Sequence, residues 1–175
     1  MTTAEIDALL ARWNPHAVAS FECETITETF ARQAEKTPDN IAVQLGREFI
    51  TYRELDRCSN QLARILFKHS LAPNALVAIC FDRSLNMIVS MLAILKAGAG
   101  YLPIDPSYPP ERIKMILADA NPAVILTEQT VAPILQGTSA PVICVDRDQT
   151  TIASEDPAAL TTGPLLGSVA YVIYT

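Results

Sequence analysis

The chain has 175 residues, half of them apolar and 18% charged, with a formal net charge of −6. That composition fills the core of one domain or one lobe and argues against disorder, while the negative balance disfavours nucleic acid or an anionic membrane as partner. No apolar run reaches the roughly 18 residues that span a bilayer, and the start, MTTAEIDALLARWN, carries acids where a signal peptide has basic residues, so a cytoplasmic location is expected.

In chain order, Ile6, Leu9, Leu10 and Trp13 recur at helical spacing and predict a short amphipathic helix, stopped at Asn14-Pro15. Thr25 and Glu28 have the spacing of a capping box, and Ile26, Phe30 and Ala34 follow on one helical face. Ile41 to Leu45, a Gly46-Arg47 turn and Glu48 to Ile50 read as a β-hairpin. Thr51 and Glu54 form a second capping box, and Leu55, Cys58, Leu62, Ile65 and Leu66 run at three-and-four spacing behind it. Leu76 to Phe81 is continuously apolar, as a parallel strand covered on both faces should be.

The run Leu85 to Leu95 is interrupted only by Asn86 and Ser90, so its helix must be sandwiched between other elements. Lys96 reads as a cation at the negative helix end, and Gly98 as the left-handed stop. Tyr101 to Ile104 is a short strand that Pro103, which lacks a ladder donor, places at an edge or stops early. Asp105-Pro106 makes a turn, and Pro109-Pro110-Glu111 opens a helix with Ile113, Ile116, Leu117 and Ala120 on one face, ended at Asn121-Pro122. Val124 to Leu126 is a strand, Glu128 to Leu135 a short helix and Val142 to Val145 a strand. Asp146 to Ser168 is irregular, and Val169 to Tyr174 is a last strand. Strands alternating with helices predict an α/β fold with a mainly parallel sheet and helices on both faces.

Cys23, Cys58, Cys80 and Cys144 are scattered, and with only His16 and His69 they form no metal or redox spacing; buried hydrophobes in a reducing compartment are expected. His69 reads as a helix-end residue, Asp105 as a turn carboxylate, Glu54 as a cap, and Tyr171 and Tyr174 as packing groups. No Ser-His-Asp set, no HExxH and no pair of carboxylates with a shared site appears, so no catalytic residue and no metal ligand is assigned.

Three ordered motifs, ITYREL at 50–55, LKAGAGYLPIDPSYPPER at 95–112 and VAYVIYT at 169–175, resemble the amino-acid adenylation domains of non-ribosomal peptide synthetases. FARQAEKTPDNIAV at 30–43 and RSLNMIVSMLAILKAG at 83–98 match the same family, and LLARWN at 9–14 is similar to the linker before such domains. Gly100 stands where the family more often has alanine, and Gly167-Ser168 replaces the usual residues before the last motif. The resemblance implies a helix and linker at 1–20 and the N-terminal part of an adenylation domain at 21–175. The lobe would be truncated at Thr175, where the family continues into a Ser/Thr/Gly-rich phosphate loop.

The implied reaction of the complete enzyme joins an amino acid to ATP, releases pyrophosphate, and passes the acyl group to the phosphopantetheine thiol of a carrier domain. ATP and magnesium would serve the complete enzyme, none binding tightly to this segment. The partners would be the remainder of the same domain, the carrier domain and a small-molecule amino acid. The hydroxyl of Thr175 is the one group here assigned to ATP phosphate contact, and the segment alone is expected to be inactive. The alternatives are a lobe of an acyl- or aryl-CoA ligase and a truncated, non-catalytic interaction module.

Overall fold

The computed structural model describes residues 24–160 and 163–175. The helix expected over the first fourteen residues, His16 and Cys23 fall outside them.

Helix α1 (Ile26–Lys36) starts at the expected cap: the Thr25 hydroxyl accepts from Glu28 N, and the Glu28 carboxylate accepts from Thr25 N. Strands β1 (Ile41–Leu45) and β2 (Glu48–Thr51) form the antiparallel hairpin. Helix α2 (Tyr52–Phe67) repeats the capping box through Thr51 and Glu54. Each box satisfies two of the backbone donors that a helix start leaves unpaired, which is why both starts are legible in sequence.

Then come β3 (Leu76–Cys80), α3 (Leu85–Lys96), β4 (Gly100–Ile104), α4 (Pro110–Ala120), β5 (Val124–Thr127) and β6 (Val142–Cys144). The four strands form one parallel sheet in the order β4-β3-β5-β6. Side chains alternate across it, as pleating requires. Val77, Ile79, Val124, Leu126 and Ile143 join a core with α2 and α3, while Ala78, Cys80, Leu102, Ile104 and Ile125 join another with Ile113, Ile116 and Leu117 of α4. The sheet is covered on both faces, as the alternating pattern of elements predicts.

Helix α3 lies between the sheet and a layer made of α1, α2 and the hairpin, so an almost wholly apolar helix is satisfied on both sides. It ends at Gly98, whose φ of 77° is open to glycine without strain. Asn121 (φ 44°) ends α4 in the same left-handed way. Strand β4 is the edge of the four-stranded sheet, consistent with Pro103.

Three expectations need correction. The helix expected over Glu128–Leu135 shrinks to a 3-10 turn at Ala132–Leu135, because Pro133 lacks the N–H that the interior of the longer helix needs and is tolerated in a first turn, where the observed segment places it. The irregular region after Asp146 contains α5 (Gln149–Ala153), invisible in a sequence so rich in threonine but held by Ile152, which packs against the core. Val169–Tyr174 is extended chain joined to the sheet by one parallel bridge, Tyr101 to Tyr171, and not a full strand.

Candidate functional site

The sequence places its one candidate at the end of the terminal segment, so what holds that segment decides what it can do. Val169 N donates to Asn74 Oδ1 at 3.1 Å, Tyr101 N to Ala170 O at 3.0 Å, and Val172 N to Tyr101 O at 3.0 Å. The Tyr171 and Tyr101 rings stack with centroids 5.6 Å apart. Val172 and Tyr174 pack on the α4 side, and the Tyr174 hydroxyl donates to Asp119 of α4. Hydrogen bonding to that carboxylate raises the phenol above its ordinary value of 10.0.

Gly100 lets the segment come this close. A Cβ there would stand 3.0 Å from Val169 Cγ1, 3.1 Å from Val169 O and 3.2 Å from Leu76 Cδ2. The residue that departs from the family pattern is therefore the one under which Val169 crosses.

The segment leaves the bridge in the direction of β4, and Thr175 is exposed beyond it. In open α/β sheets, ligands bind outside the carboxyl ends of the strands. The residues that follow β3, β4 and β5 include Asp82, Asp105 and Glu128, whose carboxylates do not attract phosphate; the Thr175 hydroxyl can donate to it. This donor set fits one phosphate contact and not a complete nucleotide cradle.

The remaining sequence candidates have structural employment. Asp105 Oδ1 accepts from Ser107 N at 2.8 Å, and hydrogen bonding to the Ser107 side chain, then to this backbone N–H, holds its carboxyl below the usual aspartate range. Glu54 is held low by its bonds to the Thr51 backbone and hydroxyl. His69 N donates to Leu66 O in the turn after α2. Cys80 and Cys144 are buried and Cys58 half-buried, all three as free thiols. Burial, aided by Asp105 and Asp82, pushes the Cys80 thiol up to about 12, so it is no nucleophile at neutral pH. Among the described residues, no group of three or more His, Cys, Asp or Glu side chains could hold a metal ion, and no helix is long and apolar enough to cross a membrane.

Lys96 departs furthest from its reading as a helix-end cation. It does lie in the last turn of α3, but it is buried. Its ammonium donates to Asp56 Oδ1 (2.7 Å), Ser59 Oγ (2.8 Å) and Asn60 Oδ1 (2.7 Å), with Asp56 O at 3.2 Å and the Phe30 ring centroid at 5.4 Å. Burial lowers its pKa and Asp56 opposes that. The same face of α2 holds a strap from the following chain. Asn60 Nδ2 donates to Pro157 O (2.9 Å), Gln61 Nε2 to Ala153 O (2.8 Å) and Glu155 O (2.9 Å), and Arg64 Nε to Asp156 O (2.8 Å). Asn60 and Gln61 lie off the apolar stripe of Leu55, Cys58, Leu62, Ile65 and Leu66, where polar residues are expected to face water, so the sequence carried no signal for this second contact. An open cavity of about 640 Å³ lies beside the network, bordered by Glu28, Glu35, Arg53, Asp56, Arg57 and Lys96. It gathers charges of both signs and attracts neither class of ion.

The order of elements and motifs recurs in known proteins. Residues 30–175 match the family described as AMP-binding enzyme. Bacitracin synthase 3 of Bacillus licheniformis is 40% identical over 179 residues, covering all of this chain and 3% of the relative. Tyrocidine synthase 3 of Brevibacillus parabrevis is 39% identical over 175 residues, again covering all of this chain and 3% of the relative. Among solved structures, the non-ribosomal peptide synthetase FmoA3 in its alpha-methyl-L-serine-AMP bound form superposes with a TM-score of 0.79 at 31% identity, over 85% of this chain and 16% of that one. Its AMPPNP-bound form gives 0.82 at 29%, over 94% and 18%. The chain thus spans a small part of each relative's length and resembles the N-terminal part of peptide-synthetase adenylation domains. The CoA ligase and interaction-module alternatives are not favoured by these likenesses.

Proposed function

The chain belongs to the AMP-binding enzyme family, and from that premise we propose that it is the N-terminal part of an amino-acid adenylation domain in non-ribosomal peptide synthesis. In that reading the complete enzyme activates an amino acid with ATP, releases pyrophosphate, and transfers the aminoacyl group to the phosphopantetheine thiol of a carrier domain. Magnesium would neutralise phosphate oxygens during attack by the carboxylate. Residues 21–175 would contribute the lobe and residues 1–20 the lead-in. The cytoplasm, where ATP and amino acids are available, would be its location.

The observation that supports the reading is the covered parallel sheet with a parallel extended segment bridged to its β4 edge at Tyr171, four residues before Thr175. Thr175 would donate its hydroxyl to a phosphate oxygen of ATP, as the chemistry of that segment's end allows. The rest of this chain would act as scaffold: the capped helices and the Lys96 network fix the outer layer, and the two cores fix the sheet. The described residues complete neither an amino-acid pocket nor a phosphate cradle, so the segment alone would be inactive. Amino-acid-dependent ATP–pyrophosphate exchange by the complete enzyme, absent from residues 1–175 alone, tests this. Robust exchange by the isolated segment would overturn it.

A further inference from the structure

We propose that Asp119 is a positioning residue: by accepting the Tyr174 hydroxyl it fixes the register in which Thr175 meets a phosphate-bearing substrate. The inference rests on the adenylation reading above. It starts from how little backbone holds the terminal segment. Among the described residues, only Tyr101 bonds it to the sheet through the main chain, accepting from Val172 and donating to Ala170, and the bridge stops at Tyr171.

Between the bridge and Thr175, Val172 gives non-directional packing, and Ile173 is exposed. Tyr174 gives the directed side-chain contact, to Asp119. Asp119 is a sound anchor because α4 is locked to the sheet through Ile113, Ile116 and Leu117. The contact ties the residue immediately before Thr175 to the rigid core. Both partners lie near the surface, so the bond contributes little to folding and its value lies in placement.

The test uses the complete enzyme and its Tyr174→Phe, Asp119→Ala and Asp119→Asn variants, with the double variant Tyr174→Phe/Asp119→Ala. The dissociation constant of a non-hydrolysable ATP analogue is measured by equilibrium titration, beside KM for ATP and for the amino acid and the melting temperature. Loss of one hydrogen bond predicts weakening of analogue binding by about fivefold in Tyr174→Phe and Asp119→Ala. KM for ATP should rise in parallel, with the amino-acid KM and melting temperature unmoved. Asp119→Asn keeps an acceptor oxygen and should restore most of the affinity. The double variant should be no worse than either single one.

Unchanged analogue binding in the single variants, an equal rise in both KM values, or additive losses in the double variant would each overturn the proposal while leaving the adenylation reading standing. A wild-type enzyme that binds no ATP analogue would overturn that reading and the proposal with it.

Discussion

Ser90 is fully buried on α3 and its hydroxyl has no hydrogen-bond partner among the described residues. A buried, unsatisfied hydroxyl costs desolvation energy that alanine avoids. Ser90→Ala is therefore expected to stabilise the chain by about 1 kcal/mol in urea unfolding; a loss of stability would show that the hydroxyl has a partner in solution. Ser90 was legible as a break in an apolar run, but nothing local tells whether such a break meets a partner. Lys96 shows the same limit from the other side. Its partners lie on α2, far away in sequence, so only the helix-end reading was accessible from its neighbours.

Replacing Lys96 by methionine would leave Asp56, whose side chain is 32% exposed and able to hydrate, without its cation. Lys96→Met is expected to destabilise by about 2–3 kcal/mol, from the lost hydrogen bonds to Asp56, Ser59 and Asn60 rather than lost volume. Burial holds the ammonium below its ordinary value of 10.5. In the window just below 10.5 the unfolded chain therefore binds more protons than the folded one, and this residue's contribution grows as pH rises. The stability gap between wild type and Lys96→Met should widen through that window. A flat or narrowing gap would contradict the burial argument.

Elements whose boundaries rest on local chemistry were readable. Both capping boxes form, and Asn121 and Gly98 stop their helices. Thr51→Ala should cost about 1 kcal/mol of stability, measured by thermal or urea unfolding. The bonds from Thr51 also hold the Glu54 carboxyl below 4.5. A depressed carboxylate stabilises above its unfolded value and loses that contribution as pH falls through its folded value. The cost of Thr51→Ala should accordingly be greatest near neutrality and shrink in acid. A cost independent of pH would mean the cap works without its carboxylate. Elements fixed by tertiary contact were not readable: α5 depends on Ile152 reaching the core, and Val169–Tyr174 has strand composition without a ladder to make it one.

At the scale of the molecule, alternating strands and helices gave the layered α/β architecture, and the ordered motifs gave the family. The strand order β4-β3-β5-β6 was not legible, since several short apolar strands satisfy the same pattern in any order. Thr175 was placed at the segment's end by motif alone, and the structure adds the clasp that would orient it. The decisive experiment is ATP–pyrophosphate exchange by the complete enzyme, screened with amino acids and, separately, with fatty and aryl acids. Exchange that depends on an amino acid, and is lost in residues 1–175 alone, is the expected result. Exchange that depends on a fatty or aryl acid instead would refute the adenylation reading, and exchange that the isolated chain sustains by itself would refute its dependence on the rest of the domain.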